Sequence, residues 1–459
     1  MMQKIYIVTD LGPGDGGKGG VVHKISHLKK AHTIFKVGGA QGSHGVTTSS
    51  GEQFAFSQFG CGTFEGVRTH LTPRFIFSPE GILNEGYDLR YRHGIDNVFE
   101  LLTVDENVIC ATPFHGIASR IKELARKNNP RGTIGTGVGE AFRFSKRFSD
   151  LTIRAKDLSS SKLKNRLAAI RDQVKTDLEP LIDLGFLSSD RSEALTELEL
   201  LDDPEFLEHV TNRFKLAAKE VRIVDSDYFS YLLAQDGVTV VESSHGILTD
   251  HYQGFHPHTS AIRTLPSFTK EMIEEHGYDG EMINLGVHRA YTIRHGAGPM
   301  PTTDDGMNEH LLPGSHKLEN RYQGKVRVGP LDLVLLRYAI AASGGPTAFD
   351  GLAISWFDQM LVNGSWWLCN KYINATNQTY FTPEGELKVR FGHDDDQLQY
   401  QQQLGQELEK CTPELSEQKI ASGNLEAQYN LCAETLYDAL NIKVRMVSFG
   451  KTERDKVCR

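Results

Sequence analysis

Short runs of apolar residues recur along the 459-residue chain and predict buried β-strands. Several runs are apolar throughout, as in strands that are covered on both faces, and stretches with helical spacing separate them. The alternation predicts an α/β fold in which helices flank a large, mainly parallel central sheet. The predicted strands cover residues 4–8, 33–37, 75–77, 108–111, 238–242, 283–286, 353–356 and 444–447.

Residues 158–224 depart from this alternation, because they are rich in charge and place Leu, Ile and Val at helical spacing without a β-rich run. They predict a helical insertion that covers one edge of the sheet. The polar, glutamine-rich residues 394–403 predict a solvated loop or the start of a helix. Without internal repeats or a clear linker, residues 1–459 are expected to form a single domain.

Composition narrows the possible functions. A net charge of -9 argues against non-specific binding of nucleic acid, which requires a basic face. The six cysteines form no Cys-x-x-Cys pair, so neither a zinc site nor a disulfide framework is indicated. No apolar run approaches the ~20 residues that span a bilayer, and a strand at the amino terminus leaves no room for a signal peptide. We therefore expect a cytoplasmic protein with no nucleic-acid or membrane partner.

A glycine-rich loop follows the first predicted strand. Residues 12–18 read Gly-Pro-Gly-Asp-Gly-Gly-Lys, in which backbone amides and Lys18 can surround phosphates. Gly19 stands where an ordinary P-loop carries the Ser or Thr that holds Mg²⁺. Asp15 is the only side chain of this turn that could bind a metal or take a proton. The alternative is a purely structural glycine turn.

Other clusters of polar and glycine residues follow later strands. Residues 37–45 contain Gln41, Ser43 and His44, and lie at the same sheet edge as the first loop if the sheet is parallel. Residues 131–139 offer amides and hydroxyls to a phosphate monoester, and basic side chains follow them. The remaining clusters are residues 242–250, 257–260, 294–302, 321–327 and 355–358.

The order of these clusters resembles the motifs of the adenylosuccinate synthetase family, which joins aspartate to a purine at its 6-oxo position. The family motif Gly-Asp-Glu-Gly-Lys-Gly resembles residues 14–19, and Gly-Gly-His-Asn-Ala-Gly-His-Thr resembles residues 38–45. Gly-Thr-Thr-Gly-Arg-Gly-Ile-Gly-Pro resembles residues 132–140, Glu-Gly-Ala-Gln-Gly-Thr-Leu-Leu-Asp resembles 242–250, and Arg-Val-Gly-Ala-Gly-Pro-Phe-Pro-Thr resembles 294–302. The similarity implies a P-loop-like fold along the whole chain.

The resemblance also implies a two-step reaction. A nucleoside triphosphate phosphorylates the 6-oxygen of a purine monophosphate, and the amine of aspartate then displaces the phosphate. Asp15 would be the base and, with Ser43, a ligand of Mg²⁺, while Lys18 and His44 would stabilise the transferring phosphoryl group. Family members are homodimers in which an arginine of the neighbouring subunit reaches the monophosphate, here Arg147 or Arg143.

The same resemblance distributes the other binding residues among three substrates. For the triphosphate and its base they are Gly14, Gly16, Gly17, Gly19, Ser43, Asp358, Ser448, Gly450 and Lys451. For the purine monophosphate they are Gln41, Thr133, Ile134, Arg147, His245 and Thr259. For the amino acid they are Lys325 and Arg327.

Departures from the family motifs leave the substrates open. Gly16 stands where the family motif has Glu, and Gln41 stands where it has Asn. Ile134 replaces a family Thr, and His245 replaces a family Gln. The purine could therefore be that of IMP, GMP or dGMP. Some related phage synthetases accept deoxyguanylate, but they replace the loop Asp that this chain keeps.

The other two substrates are equally open. Residues 322–329 have lost two of the arginines that bind aspartate in the family. Trp356 replaces a Lys that stacks on guanine, so GTP is the first choice of donor and ATP or dATP the second. The alternative function is a nucleotide-binding sensor or pseudo-enzyme.

Overall fold

The computed structural model describes residues 3–183, 190–312, 320–362 and 364–459; residues 184–189 of the predicted insertion lie outside this description. The strands are β1 (Lys4–Asp10), β2 (Thr33–Gly39), β3 (His44–Thr47), β4 (Gln53–Phe56), β5 (Arg68–Phe77), β6 (Leu102–Asp105), β7 (Ile109–Cys110), β8 (Arg222–Val224), β9 (Val238–Ser243), β10 (Glu281–Arg289), β11 (Thr292–His295), β12 (Val326–Gly329), β13 (Leu331–Asp332), β14 (Gly351–Ser355), β15 (Ser365–Tyr372), β16 (Pro413–Lys419), β17 (Val444–Ser448) and β18 (Lys456–Cys458).

The helices separate most of the strands of the main sheet. They are α1 (Lys18–Lys29), α2 (Pro79–His93), α3 (Pro113–Ala125), α4 (Val138–Arg147), α5 (Leu163–Asp183), α6 (Arg191–Asp202), α7 (Pro204–Glu220), α8 (Asp227–Leu233), α9 (Pro266–Glu275), α10 (Asp305–Leu311), α11 (Leu333–Ala342), α12 (Phe357–Val362), α13 (Asp395–Leu408) and α14 (Leu425–Leu440).

The central sheet confirms the predicted α/β class. Within the described ranges it has eleven strands in the order β18-β17-β14-β10-β1-β9-β2-β5-β6-β8, with β7 beside β5. Its strand pairs are parallel except for β17 and β18 at one edge. Every residue of β2 is buried, because helices cover both faces of the sheet, and this explains the continuous apolar runs.

The prediction that residues 158–224 contain no strand is wrong. The segment ends in β8, which pairs with β6 and forms the outermost strand of the sheet. Helices α5 and α6 pack against α3, and α7 packs against α2, so much of the insertion covers other helices. The sequence pattern does not reveal β8, because the strand has only three residues and none of them is fully buried.

The glutamine-rich segment begins a helix, which confirms one of the two structures predicted for it. The side chain of Asp394 accepts the backbone N–H of Gln397 at 3.0 Å and caps α13. The predicted solvation is wrong for Gln397 and Gln401, which are buried. The amide nitrogen of Gln397 donates to the carbonyls of Tyr252 and Arg390, while its Oε1 is buried without a partner among the described residues.

The topology brings the motif loops to one edge of the sheet. The loops after β1, β2, β9, β14 and β17 all leave the carboxyl ends of parallel strands, where open α/β sheets bind their ligands. None of the helices in the described ranges combines the length and apolar character needed to span a bilayer.

Candidate active site

A cleft of about 460 Å³ lies at this edge. Ten of the predicted site residues line it, and these come from the first three motif clusters and the loops after β9. They are Gly14, Asp15, Lys18, Gln41, Ser43, His44, Thr133, Ile134, His245 and Thr259. The predicted residues outside the lining are Gly16, Gly17, Gly19, Arg147, Lys325, Arg327, Asp358, Ser448, Gly450 and Lys451.

The phosphate loop joins β1 to α1 through an unusual backbone. Gly17 caps the helix with φ of 99°, and an added Cβ would lie 2.6 Å from the Ser355 hydroxyl, so only glycine fits there. Asp15 also has a positive φ, of 60°, as do His245 and Trp356 beside the neighbouring loops. Such conformations cost energy in residues other than glycine and are frequent at functional sites.

Lys18 lies at the start of α1 and is almost fully buried. Its ammonium is 2.7 Å from a carboxylate oxygen of Asp10, the last residue of β1. The backbone amides of Gly12 and Gly16 donate to the same carboxylate. Sequence analysis missed Asp10; the available signal was a carboxylate at the end of an otherwise apolar strand.

Gly19 lacks the P-loop hydroxyl for a steric reason. A Cβ on Gly19 would lie 2.5 Å from the carbonyl oxygen of Gly45, because α1 packs directly on β3. We therefore predict that Gly19→Ser lowers the free energy of unfolding by about 1–3 kcal/mol and adds no Mg²⁺ affinity. Urea denaturation and a Mg²⁺ titration measure both effects. Gly306→Ser is the control, since Gly306 is an exposed helical position of α10 whose Cβ would meet only Oδ1 of Asp304, at 3.4 Å; equal destabilisation of both variants would contradict the packing argument.

His44 belongs to a buried network that sequence analysis did not foresee. Its Nδ1 lies 2.5 Å from Oε1 of Glu242, and the ammonium of Lys36 lies 2.7 Å from the same oxygen. The amide of Cys61 donates to the other oxygen at 2.9 Å. The nearby ammonium of Lys36 and the bond from His44 overcome the effect of burial and lower the pKa of Glu242, so its carboxylate is charged.

Burial lowers the pKa of His44 to about 4, and the hydrogen bond to Glu242 opposes this shift. The imidazole is therefore neutral at pH 7 without a ligand, and the Glu242 carboxylate assigns its proton to Nδ1. This leaves Nε2 as the nitrogen that can interact with a ligand in the cleft. An incoming anionic phosphate would favour the imidazolium form.

Two groups of side chains contain atoms that can bind a metal ion. Among the described residues, His44, Cys61 and Glu242 place possible ligand atoms within 4.8 Å of one another. The Lys36 ammonium and the Cys61 amide already occupy both oxygens of Glu242, so this group does not suit a cation. Asp15 and Ser43 line the cleft and offer only oxygen donors, which suit Mg²⁺ shared with substrate phosphates.

Gln41 and His245, which replace the family's Asn and Gln, contact each other through their side-chain Nε2 atoms. Burial lowers the pKa of His245 to about 4, with Lys18 adding to the shift, so the ring is neutral. Since the Gln41 amide donates to Nε2, the proton of the ring is on Nδ1. His245 thus has a hydrogen-bond donor at Nδ1.

The glycine-rich loop of residues 131–139 forms the opposite wall of the cleft. Thr133 is held by a 2.9 Å hydrogen bond between its hydroxyl and that of Ser119. Burial lowers the pKa of Arg131 to about 10, and the nearby charges of Arg143 and Arg126 add to this shift. Such a concentration of cations beside backbone amides suits an anionic group.

The two predicted amino-acid-binding residues do not reach the cleft. Arg327 donates to the carbonyls of Gly296 and Gly298 at 2.8 Å and supports that turn, while Lys325 is exposed. The guanidinium groups of Arg131 and Arg294 line the cleft instead. Part of the basic character of residues 321–327 thus stabilises backbone, and the assignment of Lys325 and Arg327 to the amino acid stays a prediction.

Asp358, which is predicted to bind the base of the triphosphate, follows the loop after β14. The guanidinium of Arg289 stacks on Trp356 at 3.8 Å and donates to the carbonyl of Asp15 at 2.6 Å, which ties this loop to the phosphate loop. Burial raises the pKa of Asp358, whose carboxylate accepts from the Gln359 amide at 2.7 Å. The hydroxyl of Ser448 is buried without a partner among the described residues.

Arg147 points away from the cleft of its own chain. It lies at the end of α4 and pairs with Asp177 of α5 at 2.9 Å, and its side chain is 58% exposed. Arg143 lines the cleft and pairs with Glu140 at 2.6 Å. The predicted homodimer and the reach of Arg147 or Arg143 into a second subunit stay predictions.

Comparisons with known proteins identify the family of this chain. The sequence profile of the adenylosuccinate synthetase family matches residues 7–457. The adenylosuccinate synthetase of Thioalkalivibrio sulfidiphilus is 27% identical over 359 residues, which cover 78% of each chain. That of Desulfovibrio desulfuricans is 24% identical over 467 residues, which cover 97% of each chain.

Two solved structures share the fold at 16% sequence identity. The fully ligated adenylosuccinate synthetase of Plasmodium falciparum has a TM-score of 0.75 over 99% of both chains. The succinoaminodeoxyadenylate synthetase of cyanophage S-2L, bound to dGMP and dATP, has a TM-score of 0.57 over 100% of this chain and 96% of the other. The profile match spans nearly every residue, and this chain therefore belongs to the adenylosuccinate synthetase family of ligases, which form a carbon–nitrogen bond.

Proposed function

We propose that the protein is a Mg²⁺-dependent ligase that uses a nucleoside triphosphate to join aspartate to carbon 6 of a purine monophosphate. The observation that carries the proposal is that Asp15, Lys18 and His44 line one cleft, with His44 oriented by Glu242. A nucleotide sensor needs phosphate-binding groups but gains nothing from a carboxylate and an oriented imidazole placed together.

The first step is phosphoryl transfer. Asp15 takes the proton from N1 of the purine, the 6-oxygen attacks the γ-phosphorus, and the bond to the β–γ bridging oxygen breaks to release the diphosphate. Lys18 and the loop amides stabilise the charge on the phosphates, and His44 donates through Nε2 once the anion has favoured its protonation. When bound at Asp15 and Ser43, Mg²⁺ supplies further charge neutralisation at the phosphates.

The second step forms the carbon–nitrogen bond. The amine of aspartate attacks carbon 6 and loses a proton, and the bond between carbon 6 and the phosphorylated oxygen breaks to release inorganic phosphate. His245 donates from Nδ1 to the purine oxygen, and Gln41 orients His245. The monophosphate binds at Thr133 and the glycine loop, where Arg143 adds positive charge.

The cleft supports an amino-acid site different from residues 325 and 327. Arg131 and Arg294 line the cleft. Because Arg294 already donates to the backbone carbonyls of Ala297 and His258, we assign Arg131 to a carboxylate of aspartate. Burial lowers the pKa of Arg294 to about 9, with the nearby Arg327 adding to the shift, so Arg294 still carries a positive charge at pH 7. Arg321 is unsuited to this role because it pairs with Asp190 and Glu193 at about 3 Å.

GTP is the proposed donor. Asp358 can accept from N1 and N2 of guanine. The hydroxyl of Ser448, which has no partner among the described residues, lies at the end of β17, and β17 contacts the helix α12 that carries Asp358. ATP and dATP remain the second choice, because the stack of Arg289 on Trp356 would accept any purine ring.

A substrate matrix tests the proposal. Purified protein with Mg²⁺ is incubated with GTP, ATP or dATP, with IMP, GMP or dGMP, and with each amino acid; released phosphate and the mass of the nucleotide product are measured. We expect phosphate release in step with a succinyl-purine product for one purine and aspartate. Nucleotide binding without phosphate release in every combination would establish the sensor function instead.

A further inference from the structure

The carboxylate of Asp10 occupies the space beside Gly16. A Cβ built on Gly16 would lie 2.9 Å from Cγ and from both carboxylate oxygens of Asp10. Gly16 does not have the positive φ of Gly14 and Gly17, so its backbone conformation does not by itself exclude a side chain. The family motif carries a Glu at this position, and here a carboxylate from the end of β1 fills the place where that side chain would begin.

Asp10 is bonded entirely to the phosphate loop. Oδ1 accepts the amide of Gly12 at 2.9 Å, and Oδ2 accepts the amide of Gly16 at 2.8 Å and the ammonium of Lys18 at 2.7 Å. The Asp10 and Lys18 side chains are 0% and 2% exposed, so water does not compete for these bonds. The three donors lie on both sides of Asp15, and the carboxylate therefore fixes the loop on each side of the proposed base.

We propose that Asp10 is a positioning residue that holds Lys18 and the loop amides in the geometry required for phosphoryl transfer, at the expense of affinity for the triphosphate. Lys18 is the cation of the loop, and Asp10 neutralises much of its field before a nucleotide enters. The same negative charge repels the phosphates. Preorganisation of this kind raises kcat, because the donors need no rearrangement during the reaction.

A purely structural role predicts something different. If Asp10 only held the loop together, removing its charge would weaken nucleotide binding and turnover in parallel. If Asp10 restrains Lys18, removing its charge should lower turnover without weakening nucleotide binding. The released Lys18 would still bind phosphate at least as well, but not at the position that the transition state requires.

The test is Asp10→Asn, which keeps the shape of the side chain and removes its charge. We expect kcat to fall by at least about tenfold, as for other losses of alignment. We expect the Kd of the Mg²⁺ complexes of β,γ-imido GTP and ATP to tighten or to stay within about threefold of the parent protein. A smaller fall in kcat, or a Kd weakened by more than this, overturns the proposal.

Two further variants make the test decisive. Asp332→Asn is the matched control: this buried carboxylate caps α11 and accepts from the Tyr372 hydroxyl at 2.8 Å, so its loss should lower stability and leave kcat and Kd unchanged. Gly16→Ala displaces the Asp10 carboxylate from the other side and should give the same split between kcat and Kd. If Asp10→Asn fails to fold, the kcat and Kd of Gly16→Ala are judged by the same tenfold and threefold limits.

The turnover measurement rests on the proposed ligase activity, whereas the binding measurement does not. If the parent protein shows no ligation, the proposed function fails and the analogue titration still decides the role of Asp10. Retained or tightened binding in Asp10→Asn then supports the restraint on Lys18, and weakened binding overturns it.

Discussion

Replacing Asp15 with Asn should lower kcat by at least about a thousandfold, because the proposed base is lost. Asn has nearly the same shape and tolerates the positive φ of 60° found at this position, so the loop should keep its conformation. The Arg289 guanidinium donates to the Asp15 carbonyl, which the substitution leaves in place. Phosphate release with the substrates of the parent protein measures the effect.

The control for this variant is Asp438→Asn, the same chemical change at an exposed position of α14. It should leave kcat unchanged. Equal thermal stability of the two variants shows that the Asp15 effect does not come from unfolding. Turnover within tenfold of the parent in Asp15→Asn would remove Asp15 from its assigned role.

Lys36→Met should destabilise the fold by about 3–5 kcal/mol at pH 8, the usual cost of leaving a buried charge without its partner. The side chains of Lys36 and Glu242 are both 0% exposed, so the remaining carboxylate has no access to water. Urea denaturation measures the loss. Lys29→Met, at an exposed position of α1, is the control and should change little.

The loss should be smaller at pH 6 than at pH 8. Without Lys36, the Glu242 carboxylate raises the pKa of His44, which Lys36 now helps to lower from its usual value. A histidine whose folded pKa is raised stabilises the protein at low pH, and this contribution disappears as the pH rises through that pKa. The double variant Lys36→Met/Glu242→Gln removes both charges and should recover more than half of the stability. No recovery would show that packing, and not the buried charge, dominates.

Much of the fold could be predicted because the strands are covered on both faces. Burial forces nearly continuous apolar runs on β1 and β2, and the polar loops that follow them stand out by contrast. Parallel strands deliver such loops to one edge, so the meeting of Asp15 and His44 in one cleft followed from the predicted topology.

The residues that support these side chains could not be predicted, because they depend on register between distant segments. Lys36 and Glu242 face each other through the pairing of β2 with β9, about two hundred residues apart in the chain. No local pattern specifies that alignment. The bonds of Arg327 to the carbonyls of Gly296 and Gly298 could not be predicted for a related reason, since only the folded turn brings these carbonyls to its guanidinium.

Three residues near the phosphate loop, Asp15, His245 and Trp356, have the left-handed backbone conformation that glycine tolerates best. Selection for heat resistance alone would therefore favour glycine at these positions, because relieved strain adds to thermal tolerance. We therefore expect laboratory selection for thermal stability to lower kcat first through substitutions at these three positions. Libraries designed for stability should keep the three residues unchanged.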